Sequence, residues 1–494
     1  MKNTRYEQVA EKILGLINNG VWKSGEKIPS IRQLSSELGV SVNTIKEAYW
    51  LLESRNHIVA VPQSGFYVAR QAVESADKCA LDPRLLDPQK VSLCHIYGAF
   101  LDVGRATPES SLGIAALNPE LWPKEKMGRF FQDAVRYNEN DAYNYLMTPG
   151  YGPLREQIAR IGLAGGLELS PDELIVTNGC QEAIFLALMA VCKPGDSVAL
   201  ESPMYFNLLQ LLQLLDLRVI EMPCSSGEGI GFETLRFVME NPPVKAMFTT
   251  SNFNNPLGFS MAPSKKKRLV ELLTQAGITL IEDDIYGDLG FKSRPETCKS
   301  FDRDGRVILC SSFSKTLAPG LRVGWIAPGP RYYDQVMNIK TLLNLSTGSI
   351  NQIAVARFLK EGGYERHLRK LRKTLQEQVF AVRAAVLKYF PKGTQVTNPR
   401  GGFLLWVELP EEIDTNVIYR QALLENIIVA PGRLFTLNGG FSNCLRLNAG
   451  YWNERVEQCL RRLGRLCLDL QQASPIRGLR VSPLVSPEII RKSA

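Results

Sequence analysis

Apolar residues recur at helical spacing from the start of the chain. Val9, Ile13, Leu16 and Ile17 form one stripe with Glu7 and Glu11 set within the period, and Asn18-Asn19-Gly20 ends the segment. This is an amphipathic helix and not a secretion signal. A turn follows, in which Ser30 can cap a helix through Ile31, Leu34 and Leu38. Gly39 closes that helix and Ser41 can open another from about Val42 to Ser54, with Ile45, Ala48, Tyr49 and Leu52 inward. Two short helices joined by a tight glycine turn make a helix-turn-helix. His57 to Val68 then alternates around Pro62-Gln63-Ser64-Gly65, the pattern of a small β-hairpin, or wing.

In such a unit the second helix lies in the major groove of double-stranded DNA with its early side chains at base edges. That assigns Asn43, Thr44 and Lys46 to DNA, Arg32 and Ser41 to phosphates or bases, and Ser64 and Gly65 to the wing tip. The plainer alternative is a three-helix packing module with a solvated polar face. From 71 to 110 the periodicity weakens and turn formers accumulate, as in a linker, although residues 91–103 can form a packed helix.

Beyond residue 110 the texture changes to short apolar runs alternating with helical stretches. Leu174 to Thr177, Ser197 to Leu200, Lys245 to Thr250, Thr279 to Glu282 and Val307 to Ser311 read as strands buried on both faces of a central α/β sheet. Long basic helices follow at 350–390, then strands at 401–409, 427–432 and 444–450. The expected architecture is an all-α/winged-helix N-terminal domain (1–70), a linker (71–110), and an α/β unit (111–470). A large mostly parallel sheet would span 111–345, a smaller α+β part 346–470, and an extension 471–494.

Composition removes several chemistries. Among 494 residues there are three histidines, His57, His95 and His367, without metal-ligand spacing or a G-x-S-x-G elbow. A metal site or a Ser-His-Asp triad is therefore not expected. Ten cysteines without a C-x-x-C pair read as small core residues in a reducing compartment. No charge-free apolar run reaches the ~18 residues of a membrane span, and a cytoplasmic protein is expected. The net charge of +8 permits a polyanionic partner without demonstrating one.

The chemistry sits where the strands end. Asn178-Gly179-Cys180-Gln181-Glu182 opens an apolar helix whose amides at Cys180 and Gln181 can meet an anion. Asp283 and Tyr286 follow one strand; Ser312, Ser314, Lys315 and Arg322 follow another. A helix N-terminus, a hydroxyl and an arginine bind phosphate, an aspartate keeps a ring nitrogen protonated, and a lysine condenses with an aldehyde. Together these are the needs of pyridoxal 5'-phosphate.

Two resemblances sharpen this. The string GEKIPSIRQLSSELGVSVNTIKEAYWLLES (25–54) with SGFYV (64–68) resembles the GntR-type winged helix, except that Val42 stands where many members carry a basic residue, which implies a different base preference. Residues 111–470, above all SSFSKTLAPGLRVGW (311–325), resemble a fold-type I aminotransferase, and the fusion resembles the MocR family of regulators. The resemblance implies Lys315 as the cofactor lysine, Asp283 at the pyridine nitrogen, and Tyr286 and Asn255 at the phenolic oxygen. It further implies Tyr205 stacked on the ring, phosphate held by Cys180, Gln181, Ser312, Ser314 and Arg322, and Arg446 on a substrate carboxylate. Tyr145 would reach the partner's phosphate in a homodimer. Two functions remain open: a regulator sensing pyridoxal phosphate or an amino compound, or an active aminotransferase of an amino acid with a secondary or vestigial DNA-binding domain. The run 366–373 reads as a solvated basic face more readily than as a DNA contact.

Overall fold

The computed structural model describes residues 5–19, 21–22, 26–54, 57–61, 65–68, 88–91, 107–225, 227, 229–240, 243–361 and 363–473. The N-terminal unit comprises α1 (Arg5–Asn18), α2 (Ile31–Leu38), α3 (Val42–Ser54) and an antiparallel hairpin of β1 (Ile58–Val61) and β2 (Gly65–Val68). Its caps are those expected. Ser30 Oγ accepts from Gln33 N–H at 3.3 Å, Ser41 Oγ accepts from Thr44 N–H at 3.1 Å, and Gly39 ends α2 at φ 62°, a conformation that favours glycine. Ile13, Leu34, Ile45, Tyr49, Leu52 and Ile58 meet in one small core. Ser64 lies outside the described residues, as do most of 91–103 and the tail beyond Ala473.

The stretch expected to be a plain linker contains β3 (Gln89–Lys90), which is antiparallel to the edge of a large sheet. The other strands of that sheet are β4 (Ile175–Thr177), β5 (Ser197–Ser202), β6 (Arg218–Ser225), β7 (Gly229–Ile230), β8 (Val244–Thr249), β9 (Thr279–Asp283), β10 (Val307–Ser312) and β11 (Gly324–Ala327). Among the described residues the order is β3-β6-β5-β8-β9-β10-β11-β4, with β7 on β6. The strands from β6 to β10 are parallel, and β11 runs antiparallel to both its neighbours. Alternate side chains enter two cores: Val198 and Leu200 one, Ala199 the other; Ile308 and Cys310 one, Leu309 the other. Burial on both faces explains why these strands read as continuous apolar runs.

A second, antiparallel sheet orders β12 (Gln395–Val396), β13 (Leu404–Glu408), β15 (Cys444–Asn448) and β14 (Ala430–Pro431) as β12-β13-β15-β14. The strand expected over 427–432 is shorter because its backbone is used elsewhere. Ile428 donates to Ser110 O at 2.9 Å and accepts from Gly113 N–H at 2.7 Å. Residues 110–118 thus lie along this sheet, tied also by Asn448 N–H to Leu112 O (2.7 Å) and Asn118 N–H to Gly450 O (3.0 Å). Approach is close enough that a Cβ on Gly113 would stand 2.5 Å from the Val429 carbonyl carbon.

Candidate cofactor site and DNA-reading helix

β4, β9 and β10 all end, at their carboxyl edges, on one chamber. Lys315 closes the short helical turn Phe313–Lys315 after β10, and its Nζ donates to Ala115 O at 2.7 Å. Burial and the nearby Arg446 push its pKa down to about 8, against the pull of Asp283. Asp283, the last residue of β9, is buried; its Oδ1 accepts from Cys180 Sγ–H at 3.2 Å and Ile285 N–H at 3.1 Å. Burial raises its pKa to about 6, opposed by those two donors. Among the described residues both donors fall on Oδ1, which leaves Oδ2 for a ring N–H. The sequence points to Cys180 for its amide; its thiol has this second role, which a buried, apolar-flanked cysteine does not advertise.

Tyr286 is buried beside Asn255, with which it hydrogen-bonds, and burial raises its pKa. Asn255 Oδ1 in turn accepts from Arg446 Nη1 at 2.9 Å. Arg446, 1% exposed on β15, lies against the rings of Phe206 (5.6 Å) and Phe435 (5.0 Å), and its Nη2 donates to Gly113 O. Its Nε is buried with no partner among the described residues. Burial lowers its pKa to about 10, while Tyr286 and Tyr205 oppose the shift. Tyr205, half-buried before the helix Phe206–Leu214, therefore belongs to the same chamber.

At the other side the helix Cys180–Val191 begins at Gly179 (φ 92°) with no side-chain cap, so its first amides remain available to an anion. Arg322 Nη2 donates to Asn178 O at 2.7 Å, and a Cβ on Gly179 would stand 2.6 Å from that guanidinium. Gln181 is exposed at this end, and Ser312 Oγ accepts from Ser314 N–H at 3.3 Å. An uncapped helix start with Arg322 beside it, two serine hydroxyls and a half-buried tyrosine thus accompany the lysine, and these residue types fit pyridoxal phosphate.

Tyr145 is 71% exposed. Arg32, Ser41, Asn43 and Lys46 are exposed on α2, before α3 and on α3, with Thr44 half-buried and Gly65 at the start of β2. Two features escaped the sequence. Buried Glu201 accepts from Thr249 Oγ1 (2.7 Å), Thr250 N–H (3.2 Å) and Asn254 Nδ2 (2.9 Å), fixing the loop that carries Asn255; burial lifts its pKa to about 7. His367, for which the sequence suggested no part in the site, has its Nε2 2.6 Å from the carbonyl of Thr316, the neighbour of Lys315.

This geometry has relatives. Residues 124–463 match the family model of aminotransferase class I and II, and the chain belongs to that family. Residues 5–68 match the gntR family of bacterial regulatory proteins, so the chain joins a GntR DNA-binding domain to an aminotransferase domain, the MocR arrangement. It is 39% identical over 466 residues to the uncharacterized HTH-type transcriptional regulator YjiR of Escherichia coli, covering 93% of this chain and 98% of that one. It is 33% identical over 352 residues to the 2-aminoadipate transaminase of Thermus thermophilus, covering 70% and 87%. The crystal structure of LysN, an α-aminoadipate aminotransferase of Thermus thermophilus complexed with N-(5'-phosphopyridoxyl)-L-leucine, superposes with TM-score 0.71 at 30% identity over 78% of this chain and 97% of that one. Enzymes of this family depend on pyridoxal phosphate.

Proposed function

We propose that the protein is a transcriptional regulator that binds operator DNA through α3 and the wing, and holds pyridoxal phosphate on Lys315. The observation that carries this reading is the coupling of Lys315, Asp283 and Arg446 in one chamber of a chain that also carries a winged helix. Bound there, pyridoxal phosphate would supply an electrophilic aldehyde and an electron-accepting ring. This chain's residues set the conditions. A lysine with its pKa near 8 is neutral at pH 7 roughly 300 times more often than one at 10.5, which suits it to attack an aldehyde. Asp283 would orient and keep protonated a ring nitrogen, Tyr286 and Asn255 would hold the phenolic oxygen, and Tyr205 would cover the ring. Cys180 and Gln181 amides, Ser312, Ser314 and Arg322 would hold phosphate.

Arg446 would take the carboxylate of an amino acid or similar amino compound by a bidentate guanidinium contact. That ligand would share the guanidinium with Gly113 O and Asn255 Oδ1, so its arrival would be felt by the 110–118 segment. A homodimer completes the reading: exposed Tyr143, Tyr145, Met147, Leu342, Leu343 and Leu345 offer an apolar face for a second copy, with Tyr145 reaching the partner's phosphate. Purified protein mixed with pyridoxal phosphate tests the cofactor. Absorption of the lysine-bound form that is absent in wild type, or retained in Lys315→Ala, overturns the assignment. Operator affinity that ignores both pyridoxal phosphate and amino acids overturns the sensor.

A second reading, an active aminotransferase, is favoured by the buried Arg446 Nε without a partner among the described residues, a donor suited to substrate. Conversion of a 2-oxo acid to its amino acid by the loaded protein, with a second amino acid supplied as amino donor and released as its own 2-oxo acid, would establish it.

A further inference from the structure

The later part of the outward stripe of α3 meets the aminotransferase domain. Trp50 lies beneath two cations, with Lys292 Nζ 3.1 Å and Arg400 Cζ 5.8 Å from its ring centroid. Lys292 also pairs with Glu47 Oε2 at 3.3 Å. One turn further along α3, Glu53 acts electrostatically on Arg383 of the helix Tyr364–Tyr389, raising a pKa that burial lowers. Two carboxylates bracketing an indole at three-residue spacing thus meet three cations drawn from three separate segments. The match is one of charge and of cations over a ring.

Helical geometry shows which face this is. At about 100° per residue, Glu47 and Trp50 fall within roughly 40° of Asn43, and Lys46 within about 60°. Ile45, Ala48, Tyr49 and Leu52, all buried, centre on the opposite side. Trp50 is about 10 Å along the axis from Asn43, so a domain seated on it occupies space that the duplex walls would need. Glu47, held by Lys292, would otherwise face phosphates. The same stripe cannot hold these protein cations and lie in a groove at once.

The receiving surface is joined to the chamber. Lys292 lies on the loop that starts from Tyr286, and Phe291 N–H donates to Arg400 O at 3.0 Å. Gly290 and Gly401 form a β-bridge, and Gly402 N–H donates to Leu289 O at 3.2 Å. Phe403 beyond it meets the Tyr286 ring edge-on, centroids 5.7 Å apart. Arg294 on the same loop is ion-paired with Asp284 and Asp288.

We infer that Lys292, Arg383 and Arg400 form a docking surface for the recognition helix of this protein, and that the docked state is autoinhibited for DNA binding. The inference rests on the DNA-binding reading above and adds its regulation. DNA must displace the Glu47–Trp50–Glu53 stripe from the cations, and the bridge at Gly290 and Gly401 ties the released surface to the Tyr286 side of the chamber.

The test uses the full chain loaded with pyridoxal phosphate. Zero-length carbodiimide coupling, read by mass spectrometry, should join Glu47 to Lys292. Duplexes are then selected from a random-sequence pool and their affinity measured by fluorescence anisotropy at physiological salt. Lys292→Glu, which repels Glu47, should bind DNA about five-fold more tightly, and Arg400→Glu should do the same by a smaller factor. General electrostatics predicts the reverse, because each change removes positive charge from a protein meeting a polyanion. Absence of the 47–292 link, or affinity in both variants equal to or weaker than wild type, overturns the inference. If the link forms and neither wild type nor variant selects any duplex, the DNA-binding reading falls and the inhibition with it, while the contact stands.

Discussion

The chamber and the recognition helix solve opposite problems. In the chamber each polar group is held by a segment distant in the chain: Arg446 by Asn255 and Gly113, Lys315 by Ala115, Asp283 by Cys180. On the winged helix the bonds are local, Ser30 to Gln33 and Ser41 to Thr44, and the functional side chains stay exposed. Chemistry on a small molecule needs groups fixed before it arrives; reading DNA needs a stable helix whose early side chains are free to meet it. Damage to the first region should therefore be long-ranged and costly, and damage to the second local and mild.

The largest expected effect is complete. Lys315→Ala should abolish the absorption of lysine-bound pyridoxal phosphate while leaving the circular dichroism of the winged helix unchanged. Next, Arg446→Lys should weaken amino acid binding roughly 100-fold, because one ammonium replaces a bidentate fork, measured by absorbance titration. Asp283→Asn probes the cost of a prepared site. Its folded pKa of about 6 lies above the ordinary 3.8, so between those values the folded state holds a proton that the unfolded chain has lost. Stability from this group is present at low pH and lost as pH rises through about 6. Asp283→Asn should accordingly raise the unfolding free energy of cofactor-free protein at pH 7.5 by about 2 kcal/mol and gain nothing at pH 4. The same substitution should weaken cofactor binding, so stability and function would move in opposite directions.

On the other region, Asn43→Ala should reduce operator affinity by about 1–3 kcal/mol without altering cofactor absorption. Ser30→Ala should cost about 1 kcal/mol of stability through the lost cap, read from denaturant midpoints. A change in the absorption spectrum on replacing Asn43 would break the separation between the two regions.

The same contrast explains what could be read in advance. Ser30, Gly39 and Ser41 act on neighbours three or four residues away, so the winged helix was legible almost residue by residue. The strands β9 and β10 were legible because burial on both faces leaves an apolar run bounded by Asp283 and by Ser312. Their polar endings pointed to pyridoxal chemistry before any pairing was known. β3, the reversed direction of β11 and the shortening at 427–432 depend on partners far along the chain, and no local pattern encodes them. The carbonyls of Gly113 and Ala115 are invisible for a simpler reason: every residue has one, and only the fold selects which meets Arg446 and Lys315.

Those two carbonyls also define where one piece of this molecule ends. The family match begins at residue 124, yet severing the chain there would take away Ala115 from Lys315, Gly113 from Arg446, and the backbone bonds to Ile428, Asn448 and Gly450. The catalytic-type half is thus not a detachable cassette hung behind a DNA reader. Its first cooperative segment is the chain arriving from that reader, so any rearrangement that preserves the chamber has to carry residues 110–118 along.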